Sequence, residues 1–188
     1  MSRNEEYYRR YEDICSLILM AYHDLYLIQT IDEIKPTHTS IGGSTLHVLS
    51  HICELAKADL ALTIWKIFLD GNSNKANTLN TLNSFLRTQC GIKSIMQNSL
   101  SCSSVEKDIR TIRKQMLAHN DVEKEPVKIN IADMEKALFE LRDKLNALCF
   151  PDVDERVCQI EDVNLNVLAY HIKWAFGLLI ESTENFLR

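Results

Sequence analysis

Glycine and proline are scarce in this chain: five and three among 188 residues. Beta folds spend both on their many turns, so the shortage favours a few long helices over sheets. No C-x-x-C pair occurs among the six cysteines, which stand at irregular intervals as Cys15, Cys53, Cys90, Cys102, Cys149 and Cys158. That pattern argues against a disulfide framework and for reduced thiols serving as small core residues. No run approaches the roughly 18 consecutive apolar residues of a membrane span. The longest apolar stretches lie near Ile14–Ala21 and Trp174–Ile180. The opening MSRNEEYYRRYED is polar, so no signal peptide and no membrane association are expected, and the expected location is the cytoplasm. Positive charge is not in excess either. The formal net charge is -5, which disfavours a protein that coats duplex DNA. There is no Walker A loop, no G-x-G-x-x-G and no G-x-S-x-G, so nucleotide and serine hydrolases of familiar type are not expected.

What is present is helical periodicity along a chain of single-domain length, read as one domain over 1–188. Ile14, Leu17, Ile18, Ala21, Leu25 and Ile28 mark a first helix over 5–34. Lys35-Pro36 and Gly42-Gly43 bound a loop, after which Ser44 caps a second helix running to about Leu69. Its stripe is Leu46, Leu49, Cys53, Ala56, Leu60, Ile64 and Ile67. Asp70-Gly71-Asn72-Ser73 reads as a turn. A third helix follows over 76–98 with Gly91 as a weak point where it bends or breaks. Ser103 and Glu106 form an S-x-x-E capping box for a fourth helix that reaches about His119. Asp121–Lys128 is a polar loop. Asn130 caps a fifth helix to Cys149, and after a loop at Pro151-Asp152 Asp162 caps a sixth, with Leu165, Leu168, Ile172, Ala175, Leu179 and Phe186 as its stripe. The expected fold is all-α, an antiparallel bundle of five to six helices.

Helix four is the informative element. Val105, Ile109, Ile112 and Met116 form a narrow apolar stripe. At about 100° per residue, Arg113 and His119 lie on its opposite shoulders, and Asn120 falls on the arginine side. Lys107, Arg110, Arg113 and Lys114 outnumber Glu106 and Asp108, so the segment is basic within an acidic chain. The stripe and its shoulders make this helix the expected seam of an isologous dimer. Arginine offers a planar fork of donors for phosphate oxygens, and histidine takes and gives a proton near neutral pH. RNA carries its own nucleophile, the 2′-hydroxyl, so this pair suffices in principle for cleavage without a metal. Spacing alone is weak: with nine Arg and six His, an Arg followed by a His after four to six residues arises about once by chance. A histidine at a helix C-terminus also has a structural use against the dipole.

The string IRKQMLAHND (112–121) resembles the R-x(4–6)-H signature of HEPN domains, most closely the branch of abortive-infection U-type proteins, with Ala118-His119-Asn120-Asp121 matching its Ala-His-x-Asp. Leu62-Thr63-Ile64-Trp65-Lys66-Ile67-Phe68-Leu69-Asp70 is similar to the family's early helix ending in an apolar segment and Asp. The likeness covers roughly 44–150. HEPN ribonucleases often place Asn, Asp or His directly after the Arg; here Lys114 stands there. The resemblance implies a helical homodimer in which two Arg–His motifs meet. It further implies metal-independent endoribonuclease activity leaving a 2′,3′-cyclic phosphate, with no cofactor, in a defence or toxin–antitoxin setting. Arg113 and His119 would be catalytic, supported by Asn120, Asp121, Arg110 and Lys114. RNA is the expected partner, with an antitoxin or regulatory protein as a further one. Inactive members imply the alternative, a non-catalytic interaction or RNA-binding module whose motif serves dimer packing.

Other groupings have blander readings. His47 and His51 stand one turn apart with Glu54 beyond, but the order of a zinc protease is missing, so no metal is expected. His23 and His171 lie in apolar helices and read as core or interface histidines. Tyr7, Tyr8 and Tyr11 beside Arg9 and Arg10 suit either base stacking or, more readily, packing of the first helix.

Overall fold

The computed structural model describes residues 2–37, 43–69, 78–91, 100, 103–117, 129–148 and 159–186. These form six α-helices and one π-helical turn, with no strand among the described residues. In chain order the helices are α1 (Arg3–Thr37), α2 (Gly43–Ile64), α3 (Leu79–Gln89), α4 (Ser103–Leu117), α5 (Ile131–Ala147) and α6 (Asp162–Phe186), and the π turn Trp65–Leu69 continues α2. The all-α class is therefore correct.

The centre of the fold is α1, which packs against α2, α3, α5 and α6. Its stripe is as the periodicity gives it: Ile14, Ile18, Ala21, Leu25 and Ile28 are fully buried, while Leu17 packs at the core's edge. The N-terminal tyrosines belong to this packing. Tyr7 and Tyr11 are buried, and the Tyr7 hydroxyl donates to the Leu148 carbonyl at 2.9 Å, tying the start of α1 to the end of α5. The stripe of α2 is likewise buried from Leu49 to Ile67, with Leu46 half-buried.

Several boundaries move, each for a local reason. Helix α1 runs through Pro36 to Thr37, and α2 opens at Gly43, one residue before the expected Ser44 cap. Helix α3 is shorter than its apolar pattern. Thr78 caps it by accepting from the Thr81 amide at 3.1 Å, while the Thr81 hydroxyl accepts from the Thr78 amide at 2.9 Å. It ends at Gln89, with Cys90 as C-cap and Gly91 at φ +69°, the left-handed residue that stops a helix. Glu106 bonds the Leu100 amide at 3.4 Å, so its carboxylate reaches back beyond Ser103 to the chain before the helix. Asn130 caps α5 as expected, accepting from the Ala132 and Asp133 amides. Asp162 sits inside the first turn of α6, where it pairs with Arg142, and the Glu161 carbonyl accepts the first helical bonds. Asn146 fixes the approach to α6 by exchanging two 3.1 Å hydrogen bonds with the Ile160 backbone. The expected turn at 70–73 and the loops at 121–128 and 151–152 lie outside the described residues.

Helix α6 departs most from expectation. Leu165, Ile172 and Ile180 face α1, but Ala175 and Leu179 are exposed. The opposite face carries a second apolar stripe in solvent: Val163, Val167, Tyr170, Trp174 and Leu178. By length and mean hydropathy both α1 and α6 could cross a membrane, although neither holds an unbroken apolar run. Half of α1's apolar window is buried inside the fold against 17% of α6's, so it is α6 that presents apolar surface outward.

Candidate functional site

The arginine side of the motif is organised by an aromatic side chain. Helix α4 buries Val105, Ile109 and Ile112 between α2 and α5, which orients its basic shoulder along α2. There the π turn begins. A π turn carries one residue more than an α turn, and here it admits both Ile67 and Phe68 to the core while setting Trp65 against α4. The Arg113 guanidinium lies 4.3 Å from the Trp65 ring centroid, and that of Arg110 lies 5.3 Å away. A cation over an indole is held by the ring quadrupole while its in-plane N–H groups stay free for an anion. Arg110 also reaches Glu106 at 4.0 Å. Among the described residues no carboxylate pairs with Arg113. Two guanidinium charges thus share one aromatic platform, at the end of α2 that continues into the π turn.

Asn80 closes the π turn from the other side, donating to the Phe68 carbonyl at 3.1 Å. The remainder of the expected site is not placed. His119, Asn120 and Asp121 lie outside the described residues, as does the Lys114 side chain. Val105, Ile109 and Ile112 of the α4 stripe are buried inside the fold, while the Met116 side chain lies outside the described residues.

The other sequence candidates resolve into structural roles. His47 and His51 are exposed, Glu54 is engaged by Lys57 at 2.9 Å, and among the described residues no three His, Cys, Asp or Glu side chains converge as a metal site. The tyrosines near the N-terminus pack rather than offer stacking faces. Cys53 is buried, Cys15 half-buried and Cys90 exposed.

Of the core and interface readings of His23 and His171, the core one fails, because both stand on a groove. His23 and His171 are exposed at the rim of a groove of about 600 Å³ between α1 and α6, lined also by Leu19, Met20, Val167 and Leu168. It is also lined by a carboxyl pair, the buried Asp24 from α1 and the exposed Asp59 from α2. Asp24 is only 9% exposed, its Oδ2 has no donor among the described residues, and His23 Nδ1 stands 3.5 Å from Oδ1. Burial first, and the Asp59 carboxylate second, push Asp24 from an ordinary 3.8 up to about 6. A proton shared between the two carboxyls would satisfy the buried oxygen. Nothing in the spacing of positions 24 and 59 announces this pair, because only the packing of α1 on α2 brings them together.

No family model, curated protein or solved structure matches this chain.

Proposed function

We propose that the chain is an RNA-acting, HEPN-like protein of the cytoplasm: an antiparallel helical bundle that works as a homodimer and cleaves RNA without a metal. Arg113 holds the scissile phosphate, and His119 moves the proton between the 2′-hydroxyl and the leaving oxygen. The supporting observation is the Arg110–Trp65–Arg113 cluster. It concentrates positive charge in an acidic chain and orients one guanidinium without using its donor edge. Asn120 and Asp121 orient the histidine, and Arg110 and Lys114 extend the phosphate contact. Incubation of the native protein with an RNA panel tests this directly. Cleavage should persist in EDTA, fail on 2′-O-methyl RNA, and fall roughly 10²–10⁴-fold in His119→Ala. Arg113→Lys should also fail, since a point charge does not reproduce the bidentate fork.

The same cluster favours a second reading, in which Arg113 over Trp65 fastens α4 to α2 and the motif is a packing device in a non-catalytic RNA-binding or interaction module. That reading expects no cleavage by the native protein and a lowered melting temperature in Arg113→Lys. Intact stability with lost cleavage selects the first.

A further inference from the structure

The outer stripe of α6 has a symmetry that the inner stripe lacks. Val163, Val167, Tyr170, Trp174 and Leu178 are each 46–66% exposed. Four of them are spaced by four, seven and four residues, which reads the same from either end about a midpoint between Tyr170 and His171: Val163 mirrors Leu178, Val167 mirrors Trp174, and Tyr170 falls opposite His171. An antiparallel copy of the helix laid along this face therefore sets each small residue opposite a large one. The steps of four and three residues are those of a left-handed helix pair crossing at about 20°. The stripe is about 22 Å long at 1.5 Å per residue.

We propose that this face of α6 packs against the same face of a second copy about a two-fold axis at Tyr170–His171. Area supports a second copy as the occupant. Five half-exposed large side chains, extended by Met20 at 52% exposed on α1, present several hundred Å² of apolar surface. That reaches the largest patches of ordinary monomers, roughly 300–600 Å², and approaches the roughly 800 Å² per partner of a stable interface. Shape supports it as well. Val167 lines the 600 Å³ groove between α1 and α6, so pairing 167 with 174 brings the partner chain's copy of residue 174 to the mouth of that groove. The two-fold axis repeats this knob and hole on both sides. Leu19, Met20 and Leu168 supply apolar walls for an indole, and the Asn164 amide oxygen at the rim is an acceptor for its N–H. Such anchored tryptophans carry much of the energy of an interface.

This seam does not rest on the RNA reading, because α4 packs on α2 and α5 whereas α6 packs on α1. Sedimentation equilibrium at micromolar concentration should give twice the 21.7 kDa chain mass. Trp174→Glu should weaken dimerisation at least about 100-fold, as loss of a dominant interface anchor does, with an unchanged far-UV circular dichroism spectrum because the side chain is exposed in the single chain. Should that variant misfold, Val163→Glu at the end of the stripe carries the same test. Mixing Val163→Cys chains with Leu178→Cys chains under mild oxidation should link 163 to 178 by peptide mapping, and neither variant alone should link through its new thiol. A monomer at 100-fold higher concentration overturns the proposal. So does a dimer that survives both glutamates, a 163-to-163 link, or a monomer that instead floats with lipid vesicles.

Discussion

At the scale of single residues, the two arginines differ in what holds them. Arg110 has a carboxylate at the limit of an ion pair, while Arg113 is held by the indole face alone among the described residues. A cation over an aromatic ring is worth about 0.5–1 kcal/mol at an exposed site and about 2 when desolvated. For half-buried Arg113 that is enough to favour one orientation of its fork. The Arg113 Nε–Hε resonance should be displaced by the ring current in the native protein and in Trp65→Phe, and should return to a solvent-like position in Trp65→Leu. An unmoved resonance in Trp65→Leu would show that the ring does not position the arginine. The basic character of α4 was legible in the sequence, but its platform was not. Trp65 is separated from Arg113 by 48 residues, and only a widened turn aims it across.

Asp24 makes a second test at this scale. Its carboxyl titrates near 6 in the folded protein and near 3.8 unfolded, so between those values the folded state binds the extra proton. Stability contributed by this group is complete below the lower value and is lost as pH rises through the upper one. The titratable side chains facing it are Asp59 on α2, the neighbouring His23 and, across the groove, His171. Asp59→Asn removes the like charge and offers an amide donor to the orphaned oxygen. Denaturant titrations should show the variant about 1 kcal/mol more stable than the native protein at pH 7, with the gap closing towards pH 4. A variant that is less stable at pH 7 would mean that Asp59 supports the fold in some way other than through Asp24.

At the scale of elements, helix existence was legible and helix ends were less so. A stripe repeats over many turns and survives an error at one position, whereas an end rests on one or two residues. Gly91 decides the point for α3. The apolar pattern runs to 98 with Gly91 as the point where the helix bends or breaks, and a φ of +69° just past the C-cap makes it a break. The two possibilities give opposite signs for one substitution. Inside a continuing helix, Gly91→Ala would stabilise by up to about 1 kcal/mol. At a left-handed terminus it should destabilise by about 1–2 kcal/mol, and Gly91→Asn by less, since asparagine tolerates that region. No atom crowds the position, so the effect reads backbone conformation alone. Thermal melts of the two variants check it. Helix α6 failed in another way: it has two apolar stripes about half a turn apart, and periodicity records both without saying which one α1 covers.

At the scale of the whole molecule, α1 is the hub and α6 the outermost layer. Burial on α1 is continuous from Tyr7 to Ile31, and four other helices pack on it. Composition foretold a helical domain with a sizeable core, but not that the first helix would be its axis, because packing order is carried by no local pattern. The arrangement has a consequence for cooperativity. Helix α6 docks mainly on α1 through Leu165, Ile172 and Ile180, supported by Lys173 on Glu33 at 2.9 Å, an exposed pair that contributes little. Its outer stripe gains nothing from burial until something covers it. Opening of α6 alone should therefore cost less than global unfolding, and its amides should exchange through a local event. If a second copy covers the stripe, that opening must also break the dimer, and its cost rises with protein concentration. Hydrogen exchange measured at two concentrations 100-fold apart should then slow in α6 by about 10-fold, the square root of the concentration ratio when the dimer predominates and opening proceeds through dissociated chains. Amides of α1 that exchange by openings within the intact fold should stay unchanged. Equal, concentration-independent protection in α6 and α1 would mean that the outer helix is locked to the hub without help and that the stripe plays no part in stability.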